Sequence, residues 1–215
     1  MTRIHAGATV ERPPGDKYVR ALGFVELTFP SSFPKESTLR RWREKVGPEL
    51  EVAVVAPRAA LWSDAGPLRW DEGLESRFAR YLEALDVLDA IAVVPTGSEL
   101  STSQKDRERL IDLFGRLPDA RRRVWAPRGI WNDEEAQPFA RQLGITCAFD
   151  PLEDASPGGD TAYVRLTALG GRQRFSEGIL YELIDALADF AHAYVAIESP
   201  RSFDEAVRLD KLARE

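Results

Sequence analysis

The feature that most limits what this chain can become is a rhythm: short runs rich in Val and Ala alternate with longer runs of helical period from one end to the other. Apolar runs of strand length fall at residues 3–8, 21–29, 51–56, 90–94, 122–126, 145–149, 161–166 and 194–197. Between them apolar residues recur at three- and four-residue spacing, as in Leu74, Phe78, Leu82 and Leu85, or Ile179, Leu183, Leu187 and Phe190. Such spacing lays one apolar stripe along each helix, to be buried against a sheet. Strands that alternate with helices call for a parallel sheet, because a crossover is needed to return each strand in the same direction. An open doubly wound sheet and a closed barrel both satisfy this. About eight repeats and no glycine-rich dinucleotide fingerprint favour the second. The expected fold is α/β: a small (βα)8 TIM-like barrel, parallel strands ringed by helices, forming a single domain over residues 1–215. The connections at residues 10–20 and 151–160 contain Pro and Gly and are not expected to hold full helices. Ser101 with Gln104, Asn132 with Glu135 and Ser202 with Glu205 have the spacing of reciprocal helix caps.

Charge and composition exclude several classes. A formal net charge of -6 argues against nucleic acid or an anionic membrane as a partner, since either needs a basic surface that displaces counterions. No run approaches the ~20 apolar residues of a membrane span. The first twenty residues are polar, with Pro13, Pro14 and Gly15, and lack the apolar centre of a signal peptide. The lone Cys147 cannot form an internal disulfide and reads as a small core hydrophobe. The expected location is cytoplasmic. His5 and His192 are the only histidines and lie far apart, so no zinc spacing is present, and neither a phosphate-binding loop ending in Lys-Ser or Lys-Thr nor a Gly-x-Ser-x-Gly elbow occurs. No metal and no cofactor are expected.

In a barrel of this kind, chemistry sits where the strands end, at the C-terminal mouth. Alternation along residues 24–29 turns Phe24, Glu26 and Thr28 inward. The same reasoning makes Arg58 follow Val54 and Ala56 inward, and Arg128 follow Val124 and Ala126. Arg165 shares a face with Thr167, Asp150 with Ala148, and Glu198 with Tyr194 and Ala196. Three converging arginines would hold a phosphate or carboxylate, whose oxygens match the paired donors of a guanidinium. Strand adjacency equally pairs Glu26 with Arg58, Arg128 with Asp150 and Arg165 with Glu198, and these could be rim ion pairs alone. Spacing leaves both readings open. Gly170, Gly171 and Arg172, together with residues 199–202 entering the last helix, are a candidate phosphate loop or a plain turn. Trp62 and Trp131 fall in loops, where their rings could stack on a planar or sugar ligand, whereas Trp125 faces the helices by alternation.

The segment 24–58, FVELTFPSSFPKESTLRRWREKVGPELEVAVVAPR, resembles the YecE-like family, also called domain of unknown function 72. In that family a Val-Glu strand leads through a polar residue and an aromatic to a Pro-rich turn, a helix with Arg-Trp, and a strand ending in Lys-Ala-Pro. Val25, Glu26, Thr28, Phe29, Pro34, Arg41, Trp42, Ala56 and Pro57 match this, with Val55 in place of the lysine. Arg128 and Trp131 are similar to the family's strand-five Arg and Trp, and Tyr163, Val164 and Arg165 to its Tyr-Val-Arg strand. The resemblance implies a barrel related to TIM barrels, without an established activity; likeness of the family's cleft to nuclease-type barrels suggests nucleic-acid or phosphate-ester chemistry by analogy. This chain departs from the family at its usual Asn after Val-Glu, His after strand seven and paired Asn near the last strand, where it has Thr28, residues 166–168, and Glu198 with Ser199.

The leading expectation is an enzyme acting on a phosphorylated or carboxylated small molecule. Arg58, Arg128, Arg165 and Thr28 would bind this small anionic ligand, and Glu26 or Glu198 would serve as acid or base. The alternatives are a non-catalytic ligand-binding barrel, in keeping with the departures from the family pattern, and a protein-interaction module.

Overall fold

The computed structural model describes residues 2–30, 32–168 and 174–215. Eight parallel strands form its centre: β1 (Arg3–Val10), β2 (Phe24–Thr28), β3 (Glu51–Val55), β4 (Ile91–Thr96), β5 (Arg123–Pro127), β6 (Thr146–Cys147), β7 (Thr161–Thr167) and β8 (His192–Glu198). Neighbours run β6-β5-β4-β3-β2-β1-β8-β7. The ends of that series meet where Phe149 bridges to Val164, its N–H donating to Tyr163 O at 3.1 Å and its carbonyl accepting from Arg165 N at 3.2 Å. The sheet is a nearly closed barrel. The expected sixth strand at 145–149 is thereby split into two paired residues and a single bridge, the thinnest part of the wall.

Around the barrel lie α1 (Asp16–Ala21), α2 (Glu36–Val46), α3 (Glu72–Leu88), α4 (Gln104–Gly115), α5 (Asp133–Gln142), α6 (Glu177–Ala186) and α7 (Ser202–Leu212). The two Pro- and Gly-containing connections behave as expected: the first holds only the six residues of α1, and the described chain from 151 to 160 holds no helix. Short as it is, α1 is fastened to the barrel. The buried Tyr18 hydroxyl accepts from Ala8 N and donates to Phe24 O, both at 2.8 Å. After β3 comes a 3-10 turn (Arg58–Ala60), then a two-stranded ribbon pairing Trp62–Ser63 with Gly66–Pro67.

Both faces of the strands are apolar because both are covered. Val25, Leu27, Val52, Val54, Ala92, Val94 and Trp125 meet the helices, while Phe24, Ala53, Val55, Val93, Val124, Tyr163 and Tyr194 fill the barrel. The interior is tight at β1: a Cβ on Gly7 would lie 2.4 Å from Phe24 O, so no larger residue fits there. Cys147 is buried, and burial pushes its thiol up to about 12, as suits a core residue.

Of the three expected caps, only one places its residue at the helix start, and there the forward hydrogen bond forms. Asn132 Oδ1 accepts from Glu135 N at 3.0 Å. α4 is capped by Ser103, two residues later than expected, because Ser101 is drawn to Asp106, whose Oδ2 accepts from its hydroxyl at 2.6 Å. α7 has no side-chain cap; Glu205 instead accepts hydrogen bonds from the Ser199 hydroxyl and from Phe175 N. No helix among the described residues is long and apolar enough to cross a membrane.

Candidate functional site

The site is built on Glu26. It lies on the inward face of β2, as alternation predicts, and is completely buried. Its partners surround it. Thr9, its register neighbour on β1, donates to Oε1 at 2.9 Å, and the Tyr163 hydroxyl donates to Oε2 at 2.7 Å. Arg165 donates to Oε1 through Nε at 3.2 Å and Nη2 at 3.0 Å. A buried carboxylate without such donors would be very costly, and here both oxygens are occupied. Burial works against the charge on Arg165, but the carboxylates of Glu26 and Glu198 outweigh it and hold the guanidinium above its usual range. Burial, then the Glu26 charge, raises the Tyr163 hydroxyl well above its ordinary value, so it remains a proton donor.

This arrangement corrects two expectations. Arg58 does not follow Val54 and Ala56 into the barrel, because those two residues face the helices. Parallel pairing sets Glu26 beside Ala53, which puts Ala53 and Val55 on the inner face. Arg58 therefore leaves the wall in the 3-10 turn, exposed, with its guanidinium 3.7 Å from the centre of the Trp62 ring. Nor does Glu26 pair with Arg58. Its cation is Arg165, which comes from β7 across two intervening strands. Arg165 also stands 3.9 Å from Glu198, the expected pairing, although that carboxylate is half-exposed and the contact long.

Beyond Arg165 opens a cleft of about 460 Å³, lined by Arg128, Arg165, Thr167, Ala148 and Asp150 and by three further acids, Asp133, Glu153 and Asp154. Arg128 follows Val124 and Ala126 as expected and donates to Thr167 Oγ1 at 3.4 Å. These acids are partly engaged in shaping the loop: Asp133 Oδ2 accepts from Ala155 N, Asp154 Oδ2 from Asp150 N, and Asp150 Oδ1 from Leu152 N. Burial and the neighbouring acids raise the Asp154 carboxyl above its usual value. Among the described residues no group of His, Cys, Asp and Glu is arranged to hold a metal ion.

The remaining candidates separate. Thr28 spends its hydroxyl on Val10 O at 3.4 Å. Trp131 is not an open platform: its ring stacks on Phe139, meets Trp125 edge-on, and its Nε1 donates to Leu100 O, leaving it 6% exposed. Trp125 lies in the helix-facing layer, as alternation required. Gly170, Gly171 and Arg172 lie outside the described residues. Thr9 and Tyr163 join the site without having been expected there. Their signals were strand pairing with Glu26 for the first and two-residue alternation with Arg165 for the second.

No family model matches the sequence, and no curated protein matches it. Solved structures do. A DUF72 family protein from Enterococcus faecalis V583 superposes with a TM-score of 0.77 at 12% identity, covering 100% of this chain and 99% of that one. The chain shares its fold with this protein. A second DUF72 family protein, from Thermotoga maritima MSB8, gives 0.72 at 19% identity with 99% and 100% covered. SacUVDE gives 0.66 at 10% identity with 100% and 98% covered. The likeness of fold to these DUF72 family proteins spans the whole of this chain.

Proposed function

We propose that this barrel binds a small phosphorylated or carboxylated molecule at its C-terminal mouth, between Arg128 and Arg165 and against Thr167. The observation that supports this most is the setting of Arg165. Glu26 grips its Nε and Nη2, Tyr163 and Thr9 hold Glu26 in turn, and the guanidinium is thereby fixed as a wall of the cleft. A donor set held rigid before the ligand arrives loses little entropy on binding. Because Glu26 offsets the charge of Arg165, the second cation, Arg128, supplies the attraction for an anion. The four acids that also line the cleft, Asp133, Asp150, Glu153 and Asp154, oppose a polyanion running across the mouth, which favours a small ligand over nucleic acid.

Glu26 serves in this reading as a positioning residue, because it is buried and its oxygens are already accepting. The acid or base, in this reading, is Glu198, whose half-exposed carboxylate lies 3.9 Å from Arg165. Calorimetry with inorganic phosphate tests the binding step: the wild type binds and Arg128→Ala binds at least tenfold more weakly, about 1.4 kcal/mol. Equal affinity in both, or none in the wild type, refutes the site. A screen of phosphate esters against wild type and Glu198→Gln tests the enzymatic step.

A further inference from the structure

A second pocket, of about 230 Å³, adjoins the cleft, and Arg128 is a wall of both. Its chemistry is opposite to that of the cleft. Leu61, Leu68 and Leu100 line it with Trp62 and Pro95, and Arg58 lies over the Trp62 ring. The pocket is held in shape from outside: Arg77 donates to Ala59 O at 2.6 Å and to Trp62 O at 2.8 Å, and Leu68 N donates to Leu61 O at 2.9 Å. Leu68 also has a φ of 51°, a left-handed conformation that a Leu adopts only where its surroundings impose it. Residues held in this way are enriched at ligand sites. Glu99 is also in the wall, so the compartment itself is less favourable to a negative group than the Arg128 and Arg165 side.

We infer that the ligand carries a flat aromatic or heteroaromatic ring close to its anionic group, with the ring in the Trp62 and Arg58 compartment and the anion at Arg128. This rests on the anion reading of the mouth. An apolar wall that includes a tryptophan braced by a guanidinium favours a planar π-system over an aliphatic chain, because stacking and cation–π attraction add to the burial of area. Arg128 as the shared wall sets the spacing: ring and anion are directly joined or separated by a short linker, as in an aryl phosphate.

The test is calorimetry of the full chain with inorganic phosphate, methyl phosphate and phenyl phosphate. Phenyl phosphate is expected to bind roughly tenfold more tightly than methyl phosphate, which has the same head group and no ring. Trp62→Ala removes that difference, and Trp62→Phe, which keeps a ring, retains most of it. If the alanine variant does not fold, the wild-type comparison of the two esters decides alone. Phosphate and both esters binding alike overturns the inference while leaving the anion site standing. Failure of all three to bind overturns both.

Discussion

Replacing Glu26 by Gln asks whether the mouth is built on a buried charge pair. The change keeps shape and one carbonyl oxygen. An amide oriented with its oxygen toward Arg165 and Thr9 can donate to the Tyr163 hydroxyl oxygen, which turns from donor to acceptor, so most hydrogen bonds survive. What is lost is the charge opposite Arg165, whose side chain is only 13% exposed and whose remaining carboxylate, Glu198, stands 3.9 Å away. Removing one member of a buried pair costs about 3–5 kcal/mol, and the surviving hydrogen bonds place this case near the lower figure. For a chain of this length about 3 kcal/mol corresponds to a fall in Tm of roughly 6–12 °C. Urea unfolding should show a lower midpoint with an unchanged slope. Arg165→Met added to the Glu26→Gln variant should then cost much less than in the wild type, because the cation it removes has already lost its partner. A Glu26→Gln protein within about 1 kcal/mol of wild type, or two strictly additive substitutions, would refute the reasoning.

Gly129 has a φ of 86°, and a Cβ there would lie 2.6 Å from Ser98 Cα. Gly129→Ala should therefore cost about 1–3 kcal/mol by thermal unfolding and displace Arg128 enough to weaken phosphate binding; an unchanged Tm contradicts this. Burial, and after it the charge of Arg3, lowers the His5 imidazole below its ordinary 6.5. The unfolded chain thus takes up a proton that the folded form refuses. This stabilising contribution is complete above about pH 6.5 and declines as pH falls from there toward the folded value. NMR titration of His5 checks it, and a midpoint above 6.5 reverses the sign. Asn132→Ala should cost about 1 kcal/mol in chemical denaturation and Ser202→Ala under about 0.5, since only the first caps a helix here.

The strands were readable because each is a short apolar run bounded by turn residues, and closure followed from their number. The phase of β3 was not. Residues 52–57, Val-Ala-Val-Val-Ala-Pro, are apolar at every position, so alternation carries no contrast, and only pairing with β2 reveals that Ala53 rather than Val54 sits beside Glu26. The error passed to Arg58, four residues beyond Val54. Where polar residues mark the phase, as with Glu26 on β2 and Arg165 on β7, the inward face was read correctly. The Glu26–Arg165 contact spans the barrel between strands that are not neighbours. Reasoning from adjacent strands has no access to such a pair, because it depends on the barrel's diameter and on side-chain reach. The caps at Ser101 and Ser202 were misplaced for a related reason: several nearby oxygens compete for each helix start, and tertiary partners decide among them.

A crystal structure grown in phosphate tests the central claim most directly. The account predicts a tetrahedral anion with oxygens about 2.7–3.2 Å from the guanidinium nitrogens of both Arg128 and Arg165, and Glu26 still bound to Arg165 beneath it. A cleft without the anion at saturating phosphate, or phosphate held elsewhere on the molecule, would contradict it.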